Sequence, residues 1–206
     1  MKPVVTVVLA AGTGKRLGGP KALLAWPEGK QREVPLAIAH AEARLAAESA
    51  RVLVVTRRPV IGVLLGYVRP GIDLLASDAP DELGPAGSLA FAAARLGDAA
   101  AVVVTPVDTP PARAETVAAL LARLEADPAL LAVRPVYKGR AGHPVALRRA
   151  ALGRYGAPEP PALRDHLRAL GAALGDVDVA DPAILVDINT PADVMGILRT
   201  LPRFVG

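Results

Sequence analysis

The sequence predicts an α/β fold, a sheet of mainly parallel strands with helices on both sides. Three observations carry that expectation. Residues 4–10, 52–56 and 101–105 are short apolar runs rich in valine, continuous rather than alternating, as in strands covered on both faces. Stretches with helical spacing lie between them, such as 36–49, where Leu36, Ala39, Ala43 and Ala46/Ala47 share one stripe. The 206 residues contain no internal repeat, low-complexity tract or interdomain linker, so residues 1–206 read as one domain able to bury a core.

Composition narrows the function classes. With 52% hydrophobic but only 3% aromatic residues, the core must be built from Ala, Leu and Val, and rings for stacking on single-stranded nucleic acid are scarce. The net charge of +4 comes from scattered basic residues, which small anionic substrates explain as well as nucleic acid would. The chain has no cysteine, which excludes disulfides and thiolate metal sites and agrees with a reducing cytoplasm. One lysine before a seven-residue apolar run is no signal peptide, and no stretch approaches the ~20 apolar residues of a membrane span. A cytoplasmic protein without membrane or nucleic-acid partners is expected.

The first strand, 4–10, runs into a loop holding Gly12, Gly14, Gly18 and Gly19 together with Lys15, Arg16 and Lys21. Glycine allows positive φ and close backbone approach, and free amides at a strand end combine with the cations to suit phosphates. A Walker loop is ruled out by Pro20 where its lysine belongs, and the dinucleotide fingerprint by Leu17 where a glycine is required. A solvated basic turn is the plain alternative.

Residues 22–26 are short and apolar and 27–30 form a turn; His40 reads as a partly buried histidine of the helix 36–49. The strand 52–56 ends in Arg57-Arg58-Pro59, a solvated basic turn on this reading. Arginines at that place would also suit an NADP 2′-phosphate, so an NADP-dependent oxidoreductase is the second function class. An apolar segment 60–71 and a strand 72–76 follow, then a long loop, 77–88, enters a helix 88–96 that Ser88 can cap. Asp108 stands just past the strand 101–105, where open α/β sheets bind ligands, or else caps the turn before a helix started by Pro110 and Pro111. A strand 130–136, a Gly142-His143-Pro144 turn and a strand 145–147 come next, then a helix 162–174 and a last strand 183–186. Thr190, Pro191 and Asp193 are the signature of a helix start, which accounts for Asn189, Thr190 and Asp193 but not for Asp187.

The run L-A-A-G-T-G-K-R-L-G-G-P-K at 9–21 resembles the signature L-A-A-G-x-x-x-R-[ML]-G-x-P-K of nucleotidyltransferases similar to molybdenum cofactor cytidylyltransferase. Further segments are similar in order: 84–89, 102–110, 140–145 and 185–193. The resemblance implies a Rossmann-like three-layer α/β/α sandwich with a mostly parallel, mixed sheet. It also implies transfer of a nucleoside monophosphate from a triphosphate to a phosphorylated acceptor, with Mg²⁺ and release of pyrophosphate. Leu9, Ala10, Ala11, Gly12, Thr13, Gly14, Lys15, Arg16 and Lys21 would bind the nucleotide, with Gly84, Pro85, Gly87 and Ser88 lining its site. Arg16, Lys21 and Asp108 would be the catalytic residues, Asp108 and Asp187 the metal ligands, and Arg140 and His143 would face the acceptor.

Ala11 and Pro20 resemble the cytidylyl rather than the guanylyl branch, which favours CTP over GTP. Molybdopterin is the first acceptor implied, with a molybdoenzyme or its chaperone as a possible recipient; a sugar phosphate is the alternative. Both aspartates are expected at one sheet edge, each following a buried strand. Such chemistry needs positioning and positive charge more than a side-chain nucleophile, in keeping with a chain that has no cysteine.

Overall fold

The computed structural model describes residues 3–29, 32–78 and 81–206. The central strand is β1 (Val4–Leu9), flanked in parallel by β4 (Arg51–Thr56) and β6 (Ala101–Pro106). Parallel β5 (Ile72–Ala76) continues the sheet beyond β4. On the other side β9 (Val145–Arg148) runs antiparallel between β6 and β7 (Ala132–Tyr137), and β10 (Leu174–Asp178) closes that edge parallel to β7. The order is β10-β7-β9-β6-β1-β4-β5, with the two-residue β8 (Arg140–Ala141) on β7. The sheet is therefore mostly parallel and mixed.

Valine runs fit this place because both faces are covered. Val8, Val52 and Val54 pack with Ala37, Ile38 and Ala41 of α1 (Leu36–Ala47), and with Val60 and Leu64 of α2 (Arg58–Leu64). Val4 and Val103 meet Val117 of α4 (Ala114–Ala126) on that same face. The residues between them point the other way: Val5, Val7, Leu53, Val55, Val102 and Val104 share a cluster with Leu89 and Ala92 of α3 (Gly84–Ala93) and Leu167 of α5 (Leu163–Ala169). The result is the three-layer sandwich. No described helix is long and apolar enough to cross a membrane.

The structure departs from the expected elements in several places. A hairpin of β2 (Ala25–Glu28) and β3 (Arg32–Pro35) replaces the simple turn, with Trp26 opposite Val34. α3 starts at Gly84, so Ser88 is a buried residue inside the helix and not its cap. α4 starts at Ala114, after Pro110 and Pro111 rather than at them. The expected helix 162–174 stops at Ala169, because Gly171 takes φ +53°, and residues 174–178 become β10.

The expected strand 183–186 is a 3-10 turn, Pro182–Leu185. Asp181 dictates that outcome. Its buried carboxylate accepts from Ala183 N–H at 3.1 Å, Arg113 N–H at 3.1 Å and Thr116 Oγ1–H at 3.0 Å, which ties the turn to the start of α4. Asp187 accordingly follows a turn, not a strand.

The residues after α6 (Pro191–Leu198) return to the beginning of the fold. Ala25 N–H donates to Arg203 O and Val205 N–H to Leu23 O, at 2.8 and 2.9 Å. The Phe204 ring lies against Gly19, where a Cβ would come within 2.9 Å of it.

Candidate functional site

The carboxyl ends of β1, β4 and β6 build the site. Ala10 N–H donates to Val55 O at 2.8 Å, Thr56 Oγ1 donates to Ala10 O at 3.0 Å, and Arg57 Nε donates to Ala11 O at 2.6 Å. On the opposite side Val107 N–H donates to Leu9 O at 3.0 Å. The chain therefore leaves β1 held from both neighbours.

It then closes into a tight loop in which Leu17 and Gly18 N–H donate to Gly14 O. Gly14 has φ +64°, and a Cβ there would lie 1.9 Å from Gly19 O, so the loop exists only with glycine at 14. Leu17 points into the core and anchors the loop from beneath, which leaves Lys15 and Arg16 on the open side.

Two cavities adjoin at this loop, sharing Leu9, Gly12, Thr13, Lys15 and Pro85. The first, of about 330 Å³, is also lined by Ala11, Arg57, Ser77, Gly84 and Ser88, so the first turn of α3 faces it. The second, of about 280 Å³, adds Gly14, Arg16, Lys21, Asp108 and Asn189. Within it Lys21 Nζ donates to Asp108 Oδ2 at 3.2 Å and to Asn189 Oδ1 at 2.7 Å. Asn189 is held by its backbone N–H, which donates to Asp193 Oδ2 at 2.9 Å in the capping box of α6. That bond, followed by those from Thr190, holds the Asp193 carboxyl below its usual range, and the charge of Arg16 adds to the effect.

A third cavity, of about 360 Å³, is lined by Arg140, His143 and Asp187, with Arg134, Arg164 and Leu167 among their neighbours. His143 N–H donates to Ile184 O at 3.1 Å, and Ile188 N–H donates to Asp108 O at 2.6 Å. These two bonds draw the histidine turn, the segment around Asp187 and the end of β6 together. Burial pushes the His143 imidazole below its ordinary pKa, while Asp108 and Asp187 push it up, so both carboxylates lie within electrostatic reach of the ring.

Most residues singled out in the sequence line one of these three spaces. Ala10 and Gly87 do not; Ala10 is buried beneath the loop and Gly87 is buried within α3. Sequence reasoning missed two. Arg57 is no solvated turn, since it clamps Ala11 and lines the first cavity, whereas Arg58 pairs with Asp78 at the surface. Its place just past a buried strand, the rule applied to Asp108, was the available signal. The side chain of Asn189 is the other.

Among the described residues no group of three or more His, Cys, Asp or Glu side chains is placed to hold a metal ion. Two carboxylates suit a cation such as Mg²⁺, which completes its shell with phosphates and water.

Helix α1 fixes the segment after Asp108 from behind. His40 Nε2–H donates to Thr109 O at 2.8 Å, and Arg44 donates to Ala112 O at 2.6 Å. Burial pushes the His40 pKa down to about 4. A histidine that is harder to protonate folded than unfolded contributes stability above pH ~6.5 that is lost as pH falls toward ~4. The shift corresponds to about 3 kcal/mol. Denaturant unfolding between pH 7 and 4 should therefore show a steeper loss for the wild type than for His40→Gln; identical slopes would contradict this.

Comparisons with known proteins agree with the geometry. Over 121 residues the chain is 37% identical to a molybdenum cofactor guanylyltransferase of Xanthomonas euvesicatoria pv. vesicatoria (strain 85-10). That match takes in 59% of this chain and 55% of the relative, so the chain spans only about half the length of that curated enzyme.

Among solved structures, Rv0371c from Mycobacterium tuberculosis H37Rv superimposes with a TM-score of 0.78 at 23% identity, over 97% of this chain and 98% of that one. Its complex with manganese gives 0.73 at 21%, over 97% and 99%. A CMP:2-keto-3-deoxy-manno-octonic acid synthetase complexed with CTP gives 0.72 at 18%, over 96% and 97%. At such identities these structures speak for the fold.

The family assignment comes from the MobA-like NTP transferase domain, whose profile matches residues 6–177, from β1 into β10 and through every strand that carries the glycine loop and Asp108. The chain belongs to that family.

Proposed function

We propose that this chain, acting as a single cytoplasmic domain, transfers a nucleoside monophosphate from a nucleoside triphosphate to a phosphorylated acceptor and releases pyrophosphate. The observation that carries the proposal is the glycine loop with Lys15, Arg16 and Lys21 opening onto the cavity that contains Asp108. Loop amides and the three cations bind the triphosphate and offset the charge that grows on the departing pyrophosphate. The first cavity takes the nucleoside and the third takes the acceptor, with Arg140 and His143 at its anionic end. An acceptor phosphate is already ionised near neutral pH, so it attacks the α-phosphorus without a strong general base. Asp108 and Asp187 would hold Mg²⁺, which supplies charge neutralisation on the phosphate oxygens when bound. The manganese complex of the fold relative is in keeping with a divalent cation at this fold.

CTP is the favoured donor, because Ala11 and Pro20 resemble the cytidylyl branch. GTP is the second reading, since the Xanthomonas relative is by name a guanylyltransferase. Molybdopterin is the first acceptor to test and a sugar phosphate the next, with a molybdoenzyme or its chaperone as the recipient of the product. The oxidoreductase alternative rested on arginines at 57 and 58, and Arg57 is engaged with the loop itself.

The test is pyrophosphate release by purified protein with each of the four NTPs, paired with molybdopterin or sugar phosphates. Release should require both donor and acceptor. Lys21→Ala should weaken nucleotide binding about 10- to 100-fold in calorimetry, as befits a lost charge-assisted contact. No release with any pair, together with no NTP binding, would overturn the proposal.

A further inference from the structure

Asn189 has two separate jobs in this structure. Its backbone belongs to the start of α6: the N–H groups of Asn189 and Thr190 both donate to Asp193 Oδ2, at 2.9 and 2.7 Å. Its side chain takes no part in that cap. Oδ1 instead accepts from Lys21 Nζ at 2.7 Å, closer than the 3.2 Å that separates the ammonium from Asp108.

A lysine stem has four rotatable bonds, and a single ion pair leaves such a point charge mobile. Two oxygens from unrelated segments, one past the end of β6 and one at the start of α6, define where the ammonium sits. The two are not equivalent. On the nucleotidyl-transfer reading, on which this inference rests, Asp108 would be a ligand of a divalent cation as well as the partner of Lys21. With the cation bound, Lys21 would lose its charged partner. Asn189 carries no charge to be claimed by the cation, and its backbone is fixed to α6.

We propose that Asn189 is a positioning residue for Lys21, holding the ammonium on the phosphate side of the cavity while Asp108 passes from lysine to metal. Without it the ammonium has, among the described residues, only Asp108 to lean on, and lysine and cation would compete for one carboxylate. Asn189 lies beyond the residues matched by the family profile, so this part of the site comes from the last segment of the fold.

The experiment compares the wild type, Asn189→Ala and Asn189→Asp. Binding of CTP and of GTP is followed by calorimetry over a range of Mg²⁺ concentrations, with thermal melting alongside. Asn189→Ala keeps every backbone contact of the cap and should melt as the wild type does. It should need several-fold more Mg²⁺ for half-maximal nucleotide binding and transfer about tenfold more slowly. Asn189→Asp keeps an oxygen at the same place but gives it a charge the cation can claim, so it should not restore the wild-type Mg²⁺ dependence.

Wild-type Mg²⁺ dependence in Asn189→Ala would overturn the proposal. So would a lowered melting temperature that accounts for the loss, or full restoration of the wild-type Mg²⁺ dependence by aspartate. If the wild type binds neither nucleotide, the nucleotidyl-transfer reading falls and this one with it. If the wild type binds and Asn189→Ala is unaffected, only the role of Asn189 is lost.

Discussion

Replacing Asp108 by asparagine is expected to leave the protein folded and to slow nucleotidyl transfer by about two to three orders of magnitude. The fold should survive because the structural contact at this position is made by the backbone: Asp108 O accepts from Ile188 N–H at 2.6 Å whatever the side chain. The carboxylate itself is partly exposed and paired with Lys21 at 3.2 Å, an arrangement worth on the order of 1 kcal/mol. What asparagine removes is the charge that would hold the metal, and a bound cation supplies several kcal/mol of transition-state stabilisation. Each 1.4 kcal/mol or so is a factor of ten in rate, which sets the expected loss. Because the amide keeps the shape, raising Mg²⁺ should recover part of the rate. Steady-state rates over a Mg²⁺ series, with melting curves beside them, decide the matter. A near-wild-type rate at ordinary Mg²⁺ would remove Asp108 from the metal site.

Gly14→Ala should abolish nucleotide binding by a different route. Its Cβ would stand 1.9 Å from Gly19 O and 2.9 Å from Gly19 C, at φ +64°. Both obstacles are backbone, so no rotamer relieves them and the loop has to open. Opening it displaces Lys15, Arg16 and Lys21 together. A misplacement of about 1 Å in a positioning element costs about a hundredfold in rate, and a strained left-handed residue costs about 1–3 kcal/mol. Calorimetry with Mg-CTP and Mg-GTP should find affinity reduced by at least about 10- to 100-fold, since charge-assisted contacts are displaced, and denaturant unfolding should find stability lowered within that strain range. Gly12→Ala is the control for stability, since nothing lies within 4 Å of its added Cβ and its φ is not positive. Wild-type affinity in Gly14→Ala would show that the loop does not hold the triphosphate.

The strands most legible in the sequence are those buried on both faces. β1, β4 and β6 are near-continuous valine and leucine runs, and a run of that kind has few other places to go. β10 escaped because it is an edge strand, L-G-D-V-D, half exposed and interrupted by a glycine and two aspartates. The apolar run 183–186 misled for the complementary reason. β10 already occupies the edge beside β7, and Asp181 caps the segment into a turn.

Within the site the glycine loop was legible because positive φ leaves a compositional trace. Arg57 and Asn189 were not. Their partners are Ala11 and Lys21, far away in the chain, and each had a sufficient local explanation as a turn or a cap. Local patterns report local constraints, and these two residues act at long range.

The contact of Phe204 with Gly19, and the strand-like bonds of Arg203 and Val205 beside it, bear on how the molecule comes into being. The loop leaves the ribosome well before the ring that backs it, since Gly19 and Phe204 are separated by most of the folded domain. At roughly 5–20 residues per second, that interval is on the order of ten seconds or more. The sheet can assemble in the meantime around β1, β4 and β6. The glycine loop cannot acquire its backing until translation has passed Phe204. A nascent chain therefore carries its core before it carries a finished rim to the cavity beside β1.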